Sequence, residues 1–375
     1  MAGRSAPAVV LPSVPADKRT ELAWRHARKR SDMTVRRQHS VKGWWMRMGS
    51  RQWLTLLFTA VAGTLLVLLQ LSLRTPLQDV GTLFTPPSQG CPTSAVISAD
   101  TRGRLGNTMG EYASIFALAL RYNMTAVATP SLLRFMRHMF PDTTLPVVSD
   151  ACAERHTATM VDAFEQLSDE ERRAHSWRID YYPHRVRLFW SYRRQLCDEF
   201  TVRPELSRHA QIKLLEVSQG RAGLTFVGVH VRRTDYAAHL KSVFHGNPVH
   251  VSFYTSAMAL CRKRYTNTVF IVTSDDLHWC REHLLADDVY VIGDSRAVTP
   301  GPELDLALLA ACNHTVFDYG TYGFFGAFLA GGDMILADGF SELEHEIVTE
   351  LRLGGINATF LDPRGRLLPH CRFCT

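Results

Sequence analysis

From about Gly223 onward the chain repeats one unit: a short apolar run rich in β-branched and aromatic residues, then a helix-like segment. The strand candidates are "TFVGVHV", "TVFIVTS", "DVYVIG", "HTVFDYG" and "DMILAD". The helix candidates between and after them are "SFYTSAMALCRKRY", "DLHWCREHLL", "PELDLALLAAC" and "YGFFGAFLAGG". Strands that are apolar on both faces, each followed by a helix, predict a parallel sheet covered on both sides. The expected architecture of residues 221–375 is therefore a Rossmann-like α/β domain with a C-terminal tail.

Such sheets bind ligands outside the carboxyl ends of their strands, near the point where strand order reverses. Polar residues gather at those ends: His230, Arg232, Arg233 and Asp235 at the first strand, Ser274, Asp275 and Asp276 at the second, and Thr321 beyond the fourth. A guanidinium is a permanently charged planar fork that can pair bidentately with phosphate. "GTYGFF" would place Thr321 and backbone N–H groups at a helix N-terminus, a ready anion site. Together these point to a phosphate-bearing ligand, with Asp275 and Asp276 suited to a ribose hydroxyl or a base N–H. Plainer roles stand beside these: a structural ion pair within Arg-Arg-x-Asp, a helix cap at Asp275, and core positions for His230, Tyr319 and Phe324.

Upstream, "SAVISAD" reads as a strand and "GRLGNTMGEYASIFALA" as a loop and helix, with Tyr112, Ile115, Phe116 and Ala119 on one face. The middle portion to about Gln219 mixes helices with short strands, among them "RVRLFWSY". The glycines at 103, 106 and 110 fit neither the dinucleotide-binding fingerprint nor the Walker A loop, which disfavours hydride transfer and ATP hydrolysis. They allow a backbone approach to ligand or a tight turn before the helix. Arg104, Asn107 and Glu111 would be the polar, acceptor-side residues of this loop. No Asp-x-Asp occurs; Glu303 and Asp305 of "PELDL" come closest and read as a helix start.

Of the 375 residues 46% are hydrophobic, enough for a full core, and the net charge is +6. That charge is not spread evenly. Residues 1–51 hold 12 Lys/Arg against 3 Asp/Glu, leaving 30 against 33 for the rest. No charge lies between Arg51 and Arg74, and Trp53–Leu73 reads "WLTLLFTAVAGTLLVLLQLSL". As a helix it would span roughly 30 Å, the thickness of a bilayer core. A basic arm over 1–52, too long for a cleaved signal peptide, then predicts a retained anchor over 53–73. The arginine excess before it places the arm in the cytoplasm. The Pro-, Gly- and Ser-rich residues 74–93 would be a luminal stem, followed by α/β domains over 94–220 and 221–375.

All eight cysteines follow the predicted anchor, as do the sequons at Asn123, Asn313 and Asn357. Eight cysteines allow 105 pairings. "CRFC" at Cys371 and Cys374 reads as a disulfide-bonded tail rather than half a zinc site. Asn313, at an element boundary, is the sequon most exposed to crowding.

Four segments carry a family resemblance. "GRLGNTMGEYASIFALA", "VGVHVRRTDY", "VFIVTSDDLHWCRE" and "DLALLAACNHTVFDYGTYGFFGAFLAGGD" resemble the galactoside α-1,2-fucosyltransferases over roughly Ala95–Ala337. The resemblance implies a GT-B-like pair of Rossmann-like domains, GDP-fucose as donor, inversion at the fucose anomeric carbon, and no cofactor or required metal. It implies a terminal β-galactoside as acceptor, no nucleic-acid partner, and a single-pass type II protein of the Golgi membrane. By position, Arg232 matches the arginine that binds the donor pyrophosphate, His230 and Asp235 match residues that shape the donor pocket, and Thr321 matches the phosphate-side loop. The segment after Asp235, "YAAHLKSVFHGNPVH", is only loosely similar, and the acidic residues of "VTSDD" and the cysteine-bearing tail depart from the family, which bears on acceptor choice.

An inverting displacement calls for a base at the acceptor hydroxyl. Asp235 is the candidate, with His239 and Glu111 as rivals, and a purely orienting role for Asp235 stands against it. A transferase of another nucleotide sugar, a membrane-tethered lectin and an inactive homologue are the competing functions.

Overall fold

The computed structural model describes residues 90–292, 301–342 and 344–369. The basic arm, the span over Trp53–Leu73, most of the stem, Cys371 and Cys374 lie outside the described residues. Among those described, no helix is long and apolar enough to cross a membrane. The described residues all fall within one compact unit.

Two parallel sheets organise it. The first joins β1 (Val96–Ala99), β2 (Thr125–Ala126), β3 (Thr157–Thr159) and β4 (Trp177–Ile179) in the order β2-β1-β4-β3. The second joins β5 (Thr225–Val231), β6 (Thr268–Ser274), β7 (Val289–Val291), β8 (His314–Phe317), β9 (Met334–Ala337) and β10 (Thr359–Leu361) in the order β10-β9-β8-β5-β6-β7. Its chain runs outward from β5 to β7, then returns to β8 on the other side of β5 and runs outward again. The order reverses between β5 and β8, whose register sets His230 beside Phe317.

The α/β class with parallel strands is as the apolar runs predicted. β10 had no counterpart in the sequence reading, and the expected strand in "RVRLFWSY" is a helix over Val186–Phe189 followed by a 3-10 turn over Trp190–Tyr192. Helical spacing puts Val186 and Phe189 together inside, and the Phe189 ring lies 6.0–6.2 Å from those of Phe324, Phe325 and Phe328. Burial of one stripe outweighed β propensity.

Eight helices matter below: α1 (Leu105–Tyr122), α2 (Pro204–Ser218), α3 (Thr234–Val243), α4 (Val251–Arg264), α5 (Leu277–His283), α6 (Gly301–Ala310), α7 (Gly320–Ala330) and α8 (Glu346–Leu353). On one face of the second sheet, Val227, Val229 and Val231 pack with Phe253, Tyr254 and Met258 of α4. On the other, a larger core runs from Ile97 through α1 to Leu306 and Leu308 of α6 and Phe324 and Phe328 of α7. The two sheets thus share one hydrophobic core, which fixes their loops against each other.

Cys91 and Cys152 form a disulfide, and Cys261, Cys280 and Cys312 are buried thiols pushed up to about 12, 11 and 12 by desolvation. They are packing residues, not nucleophiles.

Candidate active site

A cleft of about 1190 Å³ lies at the carboxyl end of β5 and β8. Arg232, His230 and Ser274 line it from the strand ends, Gly320, Thr321 and Tyr322 from the start of α7, and Gly103–Asn107 from the loop before α1. Neither α1 nor α7, whose first residues line this space, has a side-chain N-cap.

The two arginines part company. Arg232 enters the cleft, where Nη1 lies 3.0 Å from Asp275 Oδ2 and Nη2 lies against Asp235 Oδ1. Arg233 turns away onto the Trp279 ring, with Cζ 3.8 Å from its centroid and Nε 3.9 Å from Asp276. Consecutive side chains leaving a strand diverge, which separates a cleft cation from a packing one.

Arg232 is held by its backbone as well. Its N–H donates to Asp318 Oδ2 (2.6 Å), and its carbonyl accepts from Tyr319 Oη (2.9 Å). Asp318 is fully buried and also accepts from Tyr254 Oη (2.8 Å) and the Tyr319 N–H (2.8 Å). Burial raises its pKa to about 7 despite those donors. His230 Nδ1 lies 3.8 Å from Asp318 Oδ1, and desolvation lowers this histidine to about 4. Both groups are therefore driven toward their neutral forms.

Asp275 does not present a free carboxylate. It accepts from the N–H groups of Arg233 (2.9 Å) and Thr234 (3.1 Å) and from the Thr234 hydroxyl, so it ties down the start of α3 rather than its own helix. Asp276 caps α5 through the Trp279 N–H (3.1 Å), and its own N–H donates to Ser274 Oγ (2.9 Å). Asp235 accepts from Arg104 Nη2 (3.2 Å) as well as from Arg232, so both of its oxygens face guanidinium groups. His239, one turn further along α3, also lines the cleft.

The α1 and α7 N-termini meet directly. Thr321 Oγ1 donates to Asn107 Oδ1 (2.6 Å). A Cβ on Gly106 would fall 2.6 Å from the Tyr322 backbone N and 2.8 Å from Thr321 Oγ1, so glycine is what permits the contact. Gly103 instead takes a left-handed turn at φ 80°. Gly106→Ala is expected to force the two termini apart, costing about 1–3 kcal/mol by overpacking, with turnover falling at least as much as stability. Thermal melting and rate measurements on the same sample check both.

Glu111 lies behind the loop, outside the cleft lining. It is fully buried, Oε1 accepts from the Arg102 N–H (3.0 Å), and Oε2 has no partner. Desolvation pushes it up to about 8. Between its unfolded value of 4.5 and about 8 the folded chain holds a proton that the unfolded chain has lost, so stability falls as pH rises through that window. His230 and His345, both lowered to about 4 by burial, act the other way, but only below 6.5. The expected result is a melting temperature that drops between pH 6.5 and 8.5, with a shallower drop in Glu111→Gln.

Two functional candidates were passed over in the sequence. Asp318 sits inside an apolar run, although its place at a strand's carboxyl end was a usable signal. Asp305, read as a helix start, lines the cleft beside Glu303, and burial raises it to about 7. The asparagines of all three sequons, Asn123, Asn313 and Asn357, are exposed, and what sets Asn313 apart is its bonding. Asn313 exchanges hydrogen bonds with Phe226, both at 2.8 Å, and Thr315 of its triplet is buried.

A cleft at the reversal point of a parallel sheet, where Arg232 and two helix N-termini stand among the carboxyl groups of Asp235, Asp275, Glu303 and Asp305, is the ligand site of an α/β protein. The chain belongs to glycosyl transferase family 11, whose sequence profile matches residues 66–349. Galactoside 2-alpha-L-fucosyltransferase Sec1 of Mus musculus is 34% identical over 260 residues, 68% of this chain and 70% of that protein. Galactoside alpha-(1,2)-fucosyltransferase 1 of Saimiri sciureus is 34% identical over 281 residues, 72% of this chain and 76% of that one. The crystal structure of NodZ alpha-1,6-fucosyltransferase with GDP matches at a TM-score of 0.41 and 16% identity, over 62% of this chain and 91% of that one, too loose a likeness to carry weight.

Proposed function

We propose that this chain transfers L-fucose from GDP-fucose to the 2-hydroxyl of a terminal β-galactoside, with inversion and without a required metal, and that its two sheets serve as the two halves of a GT-B-like transferase. The observation that carries the reading is the placement of Arg232 at the reversal point, facing the uncapped N-termini of α1 and α7.

In the reaction the acceptor 2-oxygen attacks the fucose anomeric carbon on the face opposite GDP. The C–O bond to the β-phosphate breaks, and its electron pair leaves with GDP. Negative charge therefore grows on the pyrophosphate while the sugar becomes cation-like. Arg232 and the helix N–H groups supply preorganised positive charge where a metal ion acts in other transferases. Asp305, a desolvated carboxyl in the same cleft, is suited to the N–H groups of the base. Asp235, occupied by two guanidiniums, orients Arg232 and Arg104. Of the three residues weighed as base, Asp235, His239 and Glu111, His239 is the one that lines the cleft and is not held by guanidinium groups, and it is assigned the acceptor proton.

The cellular setting is part of the proposal: a type II Golgi membrane protein anchored through residues 53–73, with the described part in the lumen. The uncharged span, the basic arm before it and the Cys91–Cys152 disulfide after it support this. Glycans are expected at Asn123 and Asn357 and not at Asn313. Asn→Gln substitution at each of the first two should remove one glycan from the protein's gel mobility, and at the third none.

The function is tested by product formation with the full chain, GDP-fucose and a panel of terminal galactosides, with the new linkage read by NMR. An α-1,2 product supports the reading. Turnover of a different nucleotide sugar, or none on any galactoside, rejects it.

A further inference from the structure

The loop after β4 has a conformation that the reaction chemistry above does not use. Tyr181 and Tyr182 both have positive φ, 64° and 48°, a region that bulky residues rarely enter. Such backbone persists only where its surroundings over-determine it. Here they do. Ser114 Oγ, midway along α1, donates to the Pro183 carbonyl and accepts from the Arg185 N–H (3.4 Å), His184 N–H donates to the Tyr182 carbonyl (2.7 Å), and His184 Nε2 lies 3.2 Å from the Asn107 carbonyl.

The outcome is an aromatic ring held outward: Tyr181 is 71% exposed. Burial cannot account for it. Around the ring stand groups that bind hydroxyls. The Arg102 guanidinium lies 5.7 Å from the ring centroid and pairs with Asp100, and Asp180 pairs with Arg178 at 3.1 Å. Asp100 follows β1 and Asp180 follows β4, the two central strands of the first sheet, so both stand at its carboxyl end. Open parallel sheets bind ligand outside that end. The place is also continuous with the cleft, because Gly103 and Arg104, which follow Arg102, line it.

We propose that Tyr181 is the platform for the second sugar of the acceptor, the unit to which the reacting galactoside is attached, with Arg102, Asp100 and Asp180 as partners for its hydroxyls. A pyranose has an apolar C–H face and a polar rim, which match an exposed ring bordered by charged side chains. The proposal rests on the fucosyl-transfer reading above.

Tyr181→Gly removes the ring and suits the left-handed backbone, so it separates binding from folding. Its melting temperature should equal or exceed that of the wild type, and its GDP affinity should not change. The KM for N-acetyllactosamine should rise roughly five- to tenfold, the scale of one aromatic contact, with little change in kcat. The KM for methyl β-galactoside, which has no second sugar, should stay constant, and Tyr181→Phe should match the wild type throughout. An unchanged disaccharide KM in Tyr181→Gly, or an equal rise for both acceptors, overturns the platform. If the wild-type chain turns over neither acceptor, the fucosyl-transfer reading fails on its own account. Saturation-transfer NMR with N-acetyllactosamine then still decides: a wild-type signal lost in Tyr181→Gly supports the platform, and no wild-type signal overturns it.

Discussion

Arg232→Lys is expected to lower kcat by about 10²–10³-fold, the cost of losing one preorganised donor at a developing negative charge, some 2.7–4 kcal/mol. The fold should survive. Arg232 is 25% exposed, and its ion pairs to Asp235 and Asp275 sit at the cleft mouth, where such pairs contribute about 1 kcal/mol or less. A lysine ammonium is a point charge on a flexible stem. It can reach one of the two carboxylates or one phosphate oxygen, but it cannot hold a fixed fork against both. The variant should therefore melt within a few degrees of the wild type, bind GDP more weakly and turn over poorly. Near-normal kinetics would remove Arg232 from the reaction.

The second large effect is expected at Asp318, a residue that lines no part of the cleft. Asp318→Ala strips the acceptor from the Arg232 N–H, the Tyr319 N–H and the Tyr254 hydroxyl, three donors that converge on a fully buried carboxylate. Buried groups left unpaired cost about 1–3 kcal/mol each, and a shared site recovers part of that, so a total near 3–5 kcal/mol is expected. This corresponds to a fall in melting temperature of roughly 10 °C. Activity should fall further than the loss of folded protein accounts for, because the Arg232 backbone loses its anchor. Asp318→Asn keeps one acceptor oxygen and should lie between the two. Equal melting temperatures for wild type and Asp318→Ala would show that these hydrogen bonds are dispensable.

What the sequence revealed follows the range over which each interaction acts. β5 and β6 were legible because an apolar run of seven residues with strand propensity declares itself locally, and Arg232 was legible as the first polar residue after one of them. The purpose of Gly106 was not legible, since the backbone it admits belongs to Tyr322, more than two hundred residues away. The same holds for Asn107 and Thr321, and for Asp275, which anchors a helix some forty residues earlier in the chain. "RVRLFWSY" was misread because its apolar residues suit a strand locally, while the phenylalanines of α7 that bury its helical face come from the other half of the chain. Tyr181 left no sequence signal, because the loop that carries its positive φ is held at Pro183, His184 and Arg185 by Ser114 and Asn107, some seventy residues earlier in the chain.

Arg232 and two helix ends are expected to carry the charge that a metal ion carries elsewhere. The most direct test is the initial rate of fucosyl transfer from GDP-fucose to N-acetyllactosamine by the full chain, measured in EDTA and again with added Mg²⁺. Equal rates are expected in both, and the same large loss in both for Arg232→Lys. A rate abolished by EDTA and restored by Mg²⁺ would contradict this role, since the leaving charge would then rest on the cation.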